Sequence, residues 1–123
     1  MAITGFHPIL YVDDQYAERD FYLLFGFETV YEGPEFPGFL ALASGPVVFG
    51  LSTRPELPDD GNANVRWQFV VEDVDEITAI CDNAGLEYEI EVEVGGTSHR
   101  ARIAKVRSPN GVQVWFEGPN EAT

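Results

Sequence analysis

The chain states one pattern twice, and that repeat constrains its fold more than any other feature. Tyr11-Val12-Asp13-Asp14, a helix-like stretch and Gly26-Phe27-Glu28 return as Val70-Val71-Glu72-Asp73, a second such stretch and Gly85-Leu86-Glu87. The offset from Tyr11 to Val70 is 59 residues, close to half of the 123-residue chain. A solenoid needs at least three units, so two long copies read as a fusion of one module led by a strand and a helix. Two such modules, each a curved sheet, can face each other and enclose a cavity, where the function is then expected to reside.

Residues 3–12 are apolar and β-branched enough for a strand. Asp14 follows where a helix N-cap belongs, because its carboxylate can accept the free N–H groups of a first turn. Ala17, Phe21, Leu24 and Phe25 predict the buried helix face, and Gly26 a C-terminal stop. Strands are predicted at 27–32, 37–43 and 46–52, divided by Gly33-Pro34, Pro37-Gly38 and Ser44-Gly45-Pro46. The polar, proline-bearing stretch 53–64 reads as a linker. The second copy then runs through strand 65–71, a helix capped by Asp73 and buried through Val74, Ile77, Ile80 and Cys81, and strands near 87–94, 100–107 and 111–117. Turns are expected at Asn83-Ala84-Gly85, Gly95-Gly96 and Pro109-Asn110-Gly111. Each module is therefore βαβββ, module 1 over about 3–52 and module 2 over about 65–117, in a single α+β domain spanning 1–123 with a curved mixed sheet around a cavity.

Alternation along a strand separates the two sheet faces. Pro8, Leu10 and Val12, then Trp67, Phe69 and Val71, then Val112, Val114 and Phe116 form apolar sets expected beneath the helices. The mixed sets, His7 with Tyr11, Arg66 with Gln68, and Gln113 with Trp115 and Glu117, are expected to line the cavity. Apolar walls with a few placed polar groups are what a small-molecule pocket requires. Phe39, Phe36 and Tyr31 serve equally as further aromatic wall or as sheet packing.

Composition narrows the partners. Seven Lys and Arg face 21 Asp and Glu, a formal net charge of −14. That field repels phosphate backbones, so neither nucleic acid nor an anionic membrane is an expected partner. It serves solubility, adaptation to a salty cytoplasm, or the steering of a cationic ligand. Arg100, Arg102, Lys105 and Arg107 cluster within eight positions, which leaves the remaining surface more acidic still. Met1-Ala2-Ile3-Thr4 lacks the basic start and apolar run of a secretion signal, and no stretch is apolar over the roughly 18 residues that span a bilayer. The one cysteine, Cys81, forms no internal disulfide and is expected as a buried thiol in a reducing cytoplasm.

His7-x4-Val12-x-Asp14, Phe21-Tyr22, Phe25-Gly26-Phe27 and the closing Pro109-Asn110-Gly111 turn before a hydrophobic strand resemble the vicinal oxygen chelate superfamily. That group includes glyoxalase I, extradiol dioxygenases, fosfomycin-resistance enzymes and bleomycin-resistance proteins, and the resemblance covers essentially the whole chain. In its metal-dependent members, residues on the first, fourth, fifth and eighth strands hold a divalent ion, usually as His, Glu, His and Glu. Placing this sequence on that pattern puts His7, Gly50, Arg66 and Trp115 at the four positions. Glycine has no ligating side chain, an indole only donates, and a guanidinium brings positive charge to a cation site. No metal and no other cofactor are expected. Glu117, on the strand face of Trp115, would restore one carboxylate beside His7 if the alignment slipped by two residues. His99, after the Gly95-Gly96 turn, is expected to be a solvated loop residue.

What the resemblance then implies is the non-catalytic branch: metal-independent binding of a small, planar organic molecule by an acidic, cytoplasmic homodimer. The expected binding set is His7, Tyr11, Phe39, Gly50, Arg66, Gln68, Gln113, Trp115 and Glu117. Arg66 disfavours a cation deep in the pocket and favours a carboxylate or phenolate. The competing reading is an isomerase or lyase with His7 as acid/base and Arg66 stabilising an oxyanion. Modules pair within one chain or are exchanged between two.

Overall fold

The computed structural model describes residues 1–53, 61–95 and 99–120. The chain divides into two compact units, Met1–Gly61 and Asn62–Thr123. The first contains β1 (Ile9–Val12), α1 (Gln15–Leu24), β2 (Glu28–Glu32), β3 (Phe39–Ser44) and β4 (Val47–Thr53). The second contains β5 (Arg66–Val70), α2 (Val74–Ala84), β6 (Glu89–Gly95), β7 (His99–Arg107) and β8 (Gln113–Pro119). The sheet orders are β1-β4-β3-β2 and β5-β8-β7-β6. In each, the leading strand pairs in parallel with the last, while the remaining pairs are antiparallel. The fold is α+β, built from two βαβββ modules of like topology.

The helices start and stop where side-chain chemistry dictates. Asp14 Oδ1 accepts from the Ala17 N–H at 3.0 Å, and Asp73 Oδ1 from the Asp75 N–H at 2.9 Å, each satisfying a donor left free in the first turn. Gly85 ends α2 at φ 70°, a left-handed conformation that glycine adopts without a Cβ penalty. Among the described residues, no helix is long and apolar enough to cross a membrane.

The first strand is shorter than its sequence suggests. Only Ile9–Val12 pairs, against Gly50–Thr53, and the Gly50 N–H reaches back to the Pro8 carbonyl at 2.9 Å. Pro8 has no N–H to offer the ladder, and upstream of it Ile3 and Phe6 stay exposed. The predicted linker begins after β4, which runs through Thr53. Its residues 54–60 lie outside the described residues, and 61–64 form turns.

The buried face of α1 also differs from the expected one. Gln15, Glu18, Phe21 and Tyr22 are buried, whereas Ala17 and Phe25 are half-buried and Leu24 is 46% exposed. The Glu18–Tyr22 stripe sits one residue, or about 100°, around the helix from Ala17 and Leu24. Aromatic packing selects it. The Tyr22 ring meets Phe49 at 4.9 Å, Phe21 at 5.2 Å and Phe27 at 5.8 Å, all edge to face. Its hydroxyl donates to Glu18 Oε2 at 2.8 Å, so the carboxyl group enters the core with a partner. Tyr22→Phe keeps the packing and removes that donor. We expect a loss of about 1–3 kcal/mol, read as a lower urea midpoint with an unchanged slope.

In the second unit Val74, Ile77 and Cys81 face the sheet, and Ile80 is only half-buried. Burial, with Asp82 adding to it, pushes the Cys81 thiol above its ordinary pKa, as suits a structural rather than a reactive cysteine. Val112, Val114 and Phe116 are buried, with the Phe69 ring tilted against Phe116 at 5.8 Å between ring centres. Close approach of α2 to β8 requires Gly118: a Cβ there would lie 2.8 Å from Val74 Cγ2 and 3.1 Å from the Val71 carbonyl oxygen.

Candidate functional site

Each sheet has one face under its helix and one free of it, and the predicted binding residues that lie on strands, all but His7, fall on the helix-free faces. In the first unit, pairing places Ile9 beside Gly50, Ala41 beside Gly50, and both Tyr11 and Phe39 beside Ser52. Tyr11 is 40% exposed and Phe39 half-buried. Gly50 is buried because the Phe39 ring lies over it: a Cβ at Gly50 would fall 2.5 Å from Phe39 Cε2 and 2.8 Å from its Cζ. A register shift between Thr29 and Tyr31 sets Val30 aside as an extra residue and pairs Tyr31 with Ala41. That bulge aims Tyr31 at Phe36 and Phe39, both 6.1 Å away between ring centres, and Phe36 and Phe39 are 6.4 Å apart. His7 precedes β1 and is exposed, and no described residue hydrogen-bonds its ring.

In the second unit the structure brings five predicted residues together. Arg66 pairs with Gln113 and Gln68 with Trp115 across β5 and β8. Gln68 Nε2 donates to Glu117 Oε1 at 2.7 Å, and Gln113 Nε2 to the Ala63 carbonyl at 2.9 Å. Half-buried Trp115 stands at the centre. The Arg66 guanidinium carbon lies 4.2 Å from its ring centre and Lys105 Nζ 4.3 Å, so one indole carries two cations from the strands on either side. Beside it opens a groove of ≈ 840 Å³ bordered by Leu86, Tyr88, Glu89, Lys105, Arg107 and Trp115, among others. Burial and then a hydrogen bond with Asp82 hold the Tyr88 phenol above its ordinary pKa, so it meets the groove as a neutral phenol.

Lys105 and Arg107 escaped the sequence reading. They face the site because Lys105 pairs with Trp115 and Arg107 with Gln113 across β7 and β8. The only signal was alternation, and it fails on β7: Ala101 and Ile103 are buried on one face, Ala104 and Val106 on the other. With both faces apolar, period two gives no phase. Across β6, Glu91 Oε1 holds Lys105 Nζ at 3.2 Å. His99 opens β7, paired with Gly95, and is not a loop residue; its solvation and the Gly96 turn fall outside the described residues.

These sheets match a known family. The family model for the Glyoxalase/Bleomycin resistance protein/Dioxygenase superfamily matches residues 5–116. The chain belongs to that superfamily. Among solved structures of the superfamily's fold, a bleomycin resistance determinant encoded on the transposon Tn5 is 20% identical with a TM-score of 0.71, covering 98% of this chain and 100% of that one. TnmS3, an antibiotic binding protein from a Streptomyces species, is 23% identical with a TM-score of 0.69, covering 98% and 99%. A lactoylglutathione lyase from Agrobacterium tumefaciens is 20% identical with a TM-score of 0.71, covering 96% and 95%. A search of the curated proteins finds no match. At these identities the likeness shows the fold. The superfamily's description itself covers both resistance proteins and enzymes, and the residues of this chain must decide between them.

Proposed function

We propose that the protein binds and sequesters a small planar organic molecule without the help of a metal ion. One observation carries the reading: half-buried Trp115, centred on the helix-free face of β8, borders an open groove whose other walls include Leu86 and Tyr88. Arg66 and Lys105 sit over the indole ring, so its edge, with the Tyr88 phenol and the apolar Leu86 side chain, offers edge-on aromatic contact at little entropic cost. The residues at the superfamily's metal positions do not fit an ion. Gly50 is roofed by Phe39, and Arg66 places a guanidinium on the indole of Trp115. Among the described residues, no three His, Cys, Asp or Glu side chains converge as a ligand set. A role for His7 as general base lacks the orienting partner such a base needs, since nothing described hydrogen-bonds its ring. A homodimer in the cytoplasm completes the reading, and sedimentation of the purified chain tests the dimer.

The function is tested with the Trp67→Phe protein, in which Trp115 is the one remaining fluorophore of its kind. Titration with a panel of planar aromatic compounds should quench its emission saturably, and chromatography should recover each compound unchanged. Turnover that survives a chelator and disappears in His7→Ala would overturn sequestration in favour of catalysis.

A further inference from the structure

The bound molecule's charge can be read from where the cations stand. Only seven Lys and Arg occur in a chain of net charge −14. Three of them, Arg66, Lys105 and Arg107, occupy two successive rows of the helix-free face of the second sheet. Arg66, Gln113 and Arg107 form one row, and Gln68, Trp115 and Lys105 the next. Their commitments differ. Lys105 is engaged by Glu91, and one Arg107 nitrogen, Nη1, donates to the Gly111 carbonyl at 3.0 Å. Arg66 is exposed and rests on Trp115, with no carboxylate or carbonyl among the described residues accepting from its guanidinium. The carboxylate on the same face of β8, that of Glu117, accepts from Gln68. Among 21 acidic residues, an arginine left with its donors open is a site waiting for an anion.

Resting on the sequestration reading above, we propose that the ligand is a planar aromatic carboxylate. Its anionic oxygens are received by Arg66 and Arg107 over Gln113, and its ring lies in the groove against Trp115. A guanidinium accepts a carboxylate through paired N–H donors in one plane, which an ammonium does not. The overall acidity does not forbid this. Charges beyond a Debye length of about 8 Å are largely screened at physiological salt, while groups in contact are not. Glu87 and Glu89, just before and at the start of β6, both border the groove, so they repel an anion from the β6 side and favour its placement toward Arg66 on β5.

The test uses three probes with one ring system: naphthalene carboxylate, naphthalene methanol and naphthylmethylammonium. Binding is followed at low salt through the Trp115 indole N–H resonance of the isotope-labelled protein. The carboxylate should bind about tenfold tighter than the alcohol, the margin of one charge-assisted hydrogen-bonded contact. Arg66→Met should bring that ratio back toward unity, Arg107→Met should reduce it, and added salt should shrink it. Equal affinities for carboxylate and alcohol, or tightest binding of the ammonium, would overturn the charge assignment while leaving planar-ligand binding in place. If none of the three probes moves the Trp115 signal, both readings fall.

Discussion

Replacing Trp115 with alanine should abolish saturable binding of planar compounds in the accessible concentration range, a loss of 30-fold or more. Aromatic anchors at the centre of a site carry a disproportionate share of affinity, commonly about 2 kcal/mol or more on truncation. Here the loss is compounded, because the same ring positions two side chains. Arg66 and Lys105 lie 4.2 Å and 4.3 Å from its centre, and without the indole both lose the surface that holds them. Trp115→Phe should retain part of the affinity through edge-on aromatic contact. The fold should survive, since Trp115 is half-buried on the helix-free face while the core of that unit rests on Val112, Val114 and Phe116. Calorimetric titration with an unchanged thermal unfolding midpoint is the expected outcome. Retained affinity in Trp115→Ala would place the ligand elsewhere.

Gly50→Glu restores the residue type that metal-dependent relatives of the superfamily resemblance carry at this strand, and it should damage the protein without creating an ion site. Two costs act together. The new Cβ falls 2.5 Å from Phe39 Cε2, so the ring must leave its place beside Tyr31 and Phe36. Overpacking of this kind costs about 1–3 kcal/mol, and a carboxylate introduced at a buried position with no partner adds about as much again. A destabilisation of about 2–6 kcal/mol is expected from urea denaturation. Adding a divalent cation should not recover it. Coupling to Phe39 separates the two costs: Phe39→Ala should relieve the steric part in the double variant, giving a favourable interaction energy in a double-mutant cycle. Full stability in Gly50→Glu, or a rise of the unfolding midpoint with added metal, would contradict the reading of this position.

The sequence carried the fold because the fold depends on patterns it writes locally. A repeat with an offset of 59 residues, cap residues Asp14 and Asp73, and glycines at Gly26 and Gly85 determine two βαβββ modules before any contact is known. Alternation on β8 likewise separated Trp115 from Val114 and Phe116, because only one of its faces is buried apolar surface.

Tertiary structure decided what local pattern cannot encode. The face of α1 that turned inward was chosen by Tyr22 meeting Phe49 and Phe27, not by the spacing of Ala17, Leu24 and Phe25. The bulge at Val30 was invisible because it is an irregularity of pairing, and it alone aims Tyr31 at Phe36 and Phe39. Gly50 appeared in the sequence as a missing side chain, and in the structure as the space a ring occupies. The two cations on Trp115 come from β5 and β7, 49 and ten positions away along the chain (115 − 66 and 115 − 105). Strand register alone brings them to one indole, because cross-strand neighbours are set by hydrogen-bond pairing over the whole sheet and not by any residue's local preference.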